Sequence, residues 1–149
     1  ILGGAGIPAE FLELEVTETA AMRDVAKTAQ VLAAISKLGV RVSIDDFGTG
    51  YSSLTYLHRF AINAIKIDKS FVDGIGLDRD AEAICDAVVS LGRSLGKKII
   101  AEGVETEPQA AFLRERKCDE AQGYLFGKPQ SAAEFESAYI APQARGMPR

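Results

Sequence analysis

Short runs of apolar, largely β-branched residues alternate with helical patterns along this chain at intervals of roughly 30 residues, and that rhythm leaves few folds open. The runs are Phe11 to Val16, Val40 to Asp45, Ala64 to Asp68, Lys98 to Ala101 and Glu120 to Tyr124. Between them the spacing predicts a helix over 22–38, a short one near 54–58 and one carrying Ile84, Ala87, Val88, Leu91 and Leu95. A further helix opens at Pro108 and reaches Arg116, and a last one covers 132–139. Gly39 and Gly96 are placed to stop the helices before them. Strands joined by helices run parallel, so the chain is α/β with about five parallel βα units. An open five-stranded sheet fits that count. So does part of a TIM-like (βα)8 barrel, which takes about 250 residues where this chain has 149.

Composition narrows the partners. At 47% apolar and 26% charged residues the chain can build a core, and its formal net charge of −4 disfavours polyanions. No nucleic acid polymer and no membrane contact by this domain is expected, and a phosphate-bearing ligand would need local groups or metals to hold it. No apolar run approaches the roughly 20 residues of a bilayer span, which suits a cytoplasmic domain whose parent could still be anchored through other parts. Cys85 and Cys118 stand without CxxC spacing or nearby histidines and read as idle thiols of a reducing compartment.

The chemistry lies at the strand ends. Glu15, Asp45, Asp68 and Glu102 each fall at or just after the C-terminal end of an apolar run, and Gln122 lies within the fifth. Those ends gather on one face of a parallel βα fold, where active sites form. Strand parity puts Glu13 with Glu15, Arg41 with Ser43 and Asp45, and Lys66 with Asp68 on one side, leaving Leu, Val and Ile for helix packing on the other. A single strand-end acid is ordinarily a helix cap or a surface charge; repetition on four strands is harder to explain that way. Clustered carboxylates repel and lose hydration, and Lys66 alone supplies too little compensation. An oxygen-only donor set suits Mg²⁺ or Mn²⁺, and the adjacent pair Asp45-Asp46 could serve two neighbouring ions, an arrangement that clamps both oxygens in phosphoryl hydrolysis.

Four segments carry a family resemblance: Leu12-Glu-Leu-Glu-Val-Thr-Glu18, Ile44-Asp-Asp-Phe-Gly-Thr-Gly-Tyr-Ser-Ser53, Ile65-Lys-Ile-Asp-Lys-Ser-Phe71, and Ala101-Glu-Gly-Val-Glu105 followed by Gln122-Gly-Tyr-Leu-Phe-Gly-Lys-Pro129. In that order they resemble the EAL family of cyclic di-GMP phosphodiesterases. The resemblance implies that Glu15 and Asp45 ligate one divalent ion, that Asp45, Asp46 and Glu102 serve a second, and that Lys66 contacts the nucleophilic water. A merely neutralising role for Lys66 stays open. Asp68, Glu105 and Gln122 match positions near substrate or in the shell behind the ligands. Glu18 matches the glutamate that anchors the loop 46–53, which in the family helps link substrate binding to dimerisation; a helix-start carboxylate is the alternative. Gly48 and Gly50 permit unusual backbone angles there, and Thr49, Ser52 and Ser53 serve turn or ligand equally well.

Competing motifs fail. Asp46-Phe47-Gly48 has the form of a kinase magnesium triplet, but the glycine-rich loop, strand lysine motif and His-Arg-Asp loop of kinases are missing, and His58-Arg59 is followed by Phe60. Gly3-Gly4-Ala5-Gly6 precedes the first strand, the wrong side for a dinucleotide site.

The Glu-Ala-Leu segment that names the family does not occur here, nor does the family's asparagine ligand upstream of Glu15. The expectation is therefore that residues 1–141 form the C-terminal portion of an EAL domain, an incomplete barrel, with 142–149 as a flexible tail. The parent domain would hydrolyse cyclic di-GMP to linear pGpG as a homodimer, with sensory or cyclase domains as candidate flanking partners. The alternatives are a receptor that binds cyclic di-GMP without cleaving it and an inactive structural or dimerisation fragment. Taken alone, the chain is expected to associate and not to hydrolyse substrate.

Overall fold

The computed structural model describes residue 4 and residues 6–49 and 57–140. Residues 54–56 of the short helix expected near Leu54 to His58, the loop positions Gly50, Ser52 and Ser53, and the tail 142–149 lie outside them.

Five strands form one parallel sheet: β1 (Glu13–Thr17), β2 (Arg41–Phe47), β3 (Ala64–Ile67), β4 (Lys98–Ala101) and β5 (Glu120–Ala121). Their spatial order is their sequence order, each pairing parallel with the next. Doubly wound sheets reverse strand order at a switch point; an unreversed run is the progression of a (βα) barrel. Of the two architectures the sequence leaves open, the sheet order selects the barrel.

Helices cover one face, except the last, which is exposed along its length. They are α1 (Glu18–Met22), α2 (Val25–Lys37), α3 (Lys69–Asp73), α4 (Arg79–Leu95), α5 (Glu107–Glu115) and α6 (Ala132–Phe135), the last continued by a π-type turn over Glu136–Ile140. Val42, Ile44, Ile65, Ile67, Ile99 and Ala101 are buried, packed in one core with Leu32, Val88 and Leu113 from the helices. Helix α4 starts on the Asp78 side chain, which accepts from Asp80 N–H, and stops at Gly96 in the left-handed conformation, φ 62°. At Gly92 the same helix presses so closely on β4 that a Cβ would overlap the Ile99 side chain.

Four boundaries differ from the sequence reading. Phe11 belongs to a 3₁₀ turn (Ala9–Phe11) and is exposed, because its N–H and that of Leu12 bond back to Pro8 and Ala9 instead of across to a strand. The helix expected over 22–38 begins only at Val25, where Asp24 caps it by accepting from Lys27 N–H at 3.0 Å, and Met22 instead ends the separate helix α1. Strand β5 stops at Ala121, since Val104 N–H takes the Gln122 carbonyl at 3.0 Å and the chain turns away before Tyr124. Helix α3 was not expected; it starts because Asp68 caps Ser70 N–H at 2.9 Å.

Candidate active site

The strand ends converge on Lys66. Its side chain is nearly buried, and its Nζ donates to Glu15 Oε1 at 2.5 Å, pairs with Glu102 Oε1 and lies 3.4 Å from Asp45 Oδ1. Register produces this. Ser43 of β2 sits opposite Glu15 and Ala64, so Asp45 and Lys66 lie one inward position higher, and Glu102 follows the β4 residue Ile100 that faces Lys66. The four groups thus climb diagonally across the sheet, as strands tilted in a barrel require.

Burial by itself would push the Lys66 pKa down, but its hydrogen bonds to Glu102 and Glu15 and the charges of Glu102 and Asp45 outweigh it, and the net shift is well upward. Its stabilising contribution is therefore complete below the ordinary lysine pKa of about 10.4 and fades only as pH rises through the higher folded value. Lys66 is a fixed cation across the physiological range. Glu102 is pushed up by burial, against the pull of Lys66, and also accepts from Gln122 Nε2 at 2.9 Å.

Asp46 reaches the cluster by a backbone irregularity. Strict alternation would turn it away from Asp45, but the β2–β3 pairing slips between Ile44 and Phe47, and Asp46 adopts φ 53°, a left-handed conformation that Asp reaches more readily than most residues. Desolvation raises its pKa first, and the charges of Asp45 and Asp68 add to that. Asp68 lies close enough to Asp46 to act on it, and its Oδ1 accepts from the Ser70 N–H and hydroxyl.

Five carboxylates, from Glu15, Asp45, Asp46, Asp68 and Glu102, thus share one ammonium, a deficit of positive charge. Asp45 Oδ1 is buried and receives no hydrogen bond. With Lys66 3.4 Å away as its charged neighbour but no hydrogen bond of its own, this anionic oxygen in an oxygen-only donor set fits a hard divalent cation. Among the described residues no group of three or more His, Cys, Asp or Glu side chains is pre-arranged as a metal cage, because Glu15 and Glu102 turn onto Lys66. Beside the cluster lies a cavity of about 460 Å³ lined by Glu102, Glu105, Gln122, Tyr124 and Lys128 among others.

Glu18 heads α1 and is buried, and its Oε2 accepts from Gly48 N–H at 2.9 Å, pinning the segment after Asp46. Gly48, at φ 99°, packs so near Phe71 that a Cβ would stand 2.9 Å from its ring. Glu18→Ala is expected to cost about 2 kcal/mol and to accelerate amide exchange at Gly48, whereas Glu18→Gln, which keeps an acceptor, should preserve most protection. Equal exchange at Gly48 in all three proteins would remove the anchoring role.

Glu105 does not reach Lys66; it pairs with Lys69 at 2.7 Å, and Lys69 also holds Asp73 at 3.0 Å. Two contributors went unnoticed in the sequence, Lys69 and Gln109. The second was readable: Thr106-Glu-Pro-Gln109 has capping-box spacing, and both halves of the box form.

The family model described as EAL domain matches residues 1–129. The cyclic di-GMP phosphodiesterase NbdA of Pseudomonas aeruginosa is 47% identical over 149 residues, an overlap covering 96% of this chain and 19% of NbdA. The solved c-di-GMP complex of the PaMucR phosphodiesterase, from the same organism, superposes with a TM-score of 0.88 at 47% identity, covering 90% of this chain and 54% of that one. The manganese and cyclic di-GMP complex of Klebsiella pneumoniae BlrP1 gives a TM-score of 0.79 at 37% identity over 86% of this chain and 33% of that one. The chain therefore spans less than a fifth of NbdA and about half of the solved PaMucR chain.

Proposed function

This chain belongs to the EAL domain family, and from that premise we propose that the complete domain of which it forms part hydrolyses one phosphodiester bond of cyclic di-GMP to give linear pGpG. The observation that carries the proposal is the nearly buried Lys66 ammonium set among Glu15, Asp45 and Glu102 at the ends of neighbouring strands. Relatives named as cyclic di-GMP phosphodiesterases, and solved relatives holding cyclic di-GMP with manganese or calcium, support it.

Glu15, Asp45, Asp46 and Glu102 would hold two Mg²⁺ or Mn²⁺ ions, with Asp45 shared. When bound, such ions would supply Lewis acidity toward the phosphate and lower the pKa of a water. The residues of the chain do the rest. Lys66, kept protonated by its carboxylate partners, offers a fixed positive charge to the attacking water and to the oxygens that gain charge as the bond breaks. Gln122 orients Glu102 through its 2.9 Å hydrogen bond, and Asp68 lies against Asp46. The cavity flanked by Gln122, Tyr124 and Lys128 offers an apolar ring and a cation to a guanine nucleotide. Glu18, through Gly48, would tie the loop after β2 to a homodimer contact. Among the described residues no helix is long and apolar enough to cross a membrane.

The test is direct. The complete domain is incubated with cyclic di-GMP and Mg²⁺ or Mn²⁺, and product is followed chromatographically with and without EDTA. Metal-dependent pGpG release is expected. Tight binding with no product would favour the receptor reading, and neither binding nor product would end both.

A further inference from the structure

The segment after β4, which carries Glu102 and Glu105, and the helix α3 that follows β3 and Lys66 are joined by a side chain to which the proposed chemistry assigns nothing. Gln109, in the first turn of α5, is 8% exposed. Its Oε1 accepts from Glu105 N–H at 2.8 Å and from Thr106 N–H at 3.0 Å, while its Nε2 donates to the Val72 carbonyl of α3 at 3.2 Å. A capping box requires only the contacts with Thr106. The bonds to Glu105 and Val72 exceed what starting a helix demands, and they link the segment between β4 and α5 to helix α3.

We infer that Gln109 is a positioning residue for hydrolysis, setting Glu102 and Glu105 against the β3–α3 unit that presents Lys66. This rests on the phosphodiesterase reading above. Glu102 is held to the end of β3 by its own N–H on the Ile67 carbonyl at 3.2 Å and by Lys66; farther along, a second link between the segment and α3 is the Lys69–Glu105 ion pair, whose side chains are nearly half exposed. Exposed pairs of that kind hold geometry weakly, whereas a buried amide that loses a partner leaves a desolvated group behind. Gln109 is thus the fixed tie and Lys69 the adjustable one. Only an amide serves, because the two N–H groups require an acceptor and the Val72 carbonyl requires a donor within one planar group. Displacement of a reacting group by about 1 Å costs on the order of a hundredfold in rate, so a tie between this segment and α3 acts on the rate and not on the affinity.

Gln109→Glu separates the two duties. At pH 8 its carboxylate still accepts from Glu105 and Thr106 but repels the Val72 carbonyl. In the complete domain with Mg²⁺, Gln109→Glu is expected to keep slow amide exchange at 105 and 106 and a KM within about twofold of wild type, yet to lose kcat by about tenfold. Gln109→Met, which lacks both functions, should lose kcat by at least as much and also speed exchange at both amides. Gln109→Glu with the kcat of wild type would overturn the inference while leaving the phosphodiesterase reading intact, and so would a fully active Gln109→Met if the glutamate variant fails to fold. An inactive wild-type domain would instead sink the reading on which the inference rests, and the inference with it.

Discussion

Asp45→Asn in the complete domain is expected to lower hydrolysis of cyclic di-GMP at least about a thousandfold, equivalent to roughly 4 kcal/mol of lost transition-state stabilisation. Asparagine keeps the shape and removes the charge, at a carboxylate oxygen that is buried and without a hydrogen bond. The expected effect on stability has the opposite sign. In metal-free protein Asp45 adds to a carboxylate excess around a single ammonium and raises the Asp46 pKa, so neutralising it should leave the melting temperature unchanged or higher. Adding Mn²⁺ should then stabilise wild type more than the variant, because binding to the folded state alone shifts the equilibrium. Calorimetric melts of both proteins, with EDTA and with Mn²⁺, alongside the turnover assay, check this. Wild-type turnover at limiting metal, or a variant destabilised without metal, would contradict the role given to Asp45.

The second large effect is expected from a residue without a side chain. Gly123 follows Gln122 at the turn out of β5, where Val104 N–H bonds the Gln122 carbonyl and Leu125 N–H bonds the Val104 carbonyl, both at 3.0 Å. A Cβ at Gly123 would stand 2.7 Å from the Val104 carbonyl carbon and closer still to its oxygen and nitrogen. Backbone atoms cannot rotate aside as a side chain can, so one of the two segments must move. Gly123→Ala should cost about 3 kcal/mol, which lowers the melting temperature of a domain of some 250 residues by roughly 6–12 °C. Activity should fall further than the unfolded fraction explains, because the displaced segments carry Gln122 and Glu102, which bond each other. A Gly123→Ala protein with wild-type melting and turnover would show that this approach is not needed. By contrast Gly127, where a Cβ meets nothing within 4 Å, should accept alanine with little change.

What the sequence discloses and what it withholds divide along physical lines. Glu15, Asp45, Lys66 and Glu102 were visible because strand parity and strand ends are local properties, and a parallel fold carries them to one face. Asp46 is legible as the neighbour of a strand-end aspartate, but its route to the cluster is hidden: period-two alternation turns it away, and only the pairing slip beside Phe47 and the positive φ bring it round. The barrel progression was likewise out of reach, since spacing counts strands but does not order them. Phe11 misled because an aromatic before an alternating run reads as strand, while Pro8 and Ala9 had already claimed the local N–H groups. The break at Asp24 and the start of α3 at Asp68 were both legible as caps in principle, but each competes with another reading, a charged helix face in one case and a strand-end acid in the other. The capping role of Gln109 is legible in its spacing from Thr106, but its bond to Val72 spans 37 residues and needs the fold to bring the two together.

The most direct measurement of the central claim is the location of the ions. Crystals of the complete domain with Mn²⁺ and cyclic di-GMP, measured at a wavelength where manganese scatters anomalously, should show two peaks at coordination distance from carboxylate oxygens, about 2.1–2.2 Å. Asp45 should touch both peaks, Glu15 one, and Asp46 and Glu102 the other, with the Lys66 ammonium beside the scissile phosphate. A domain that hydrolyses cyclic di-GMP while its manganese peaks lie away from Asp45 would contradict the assignment outright.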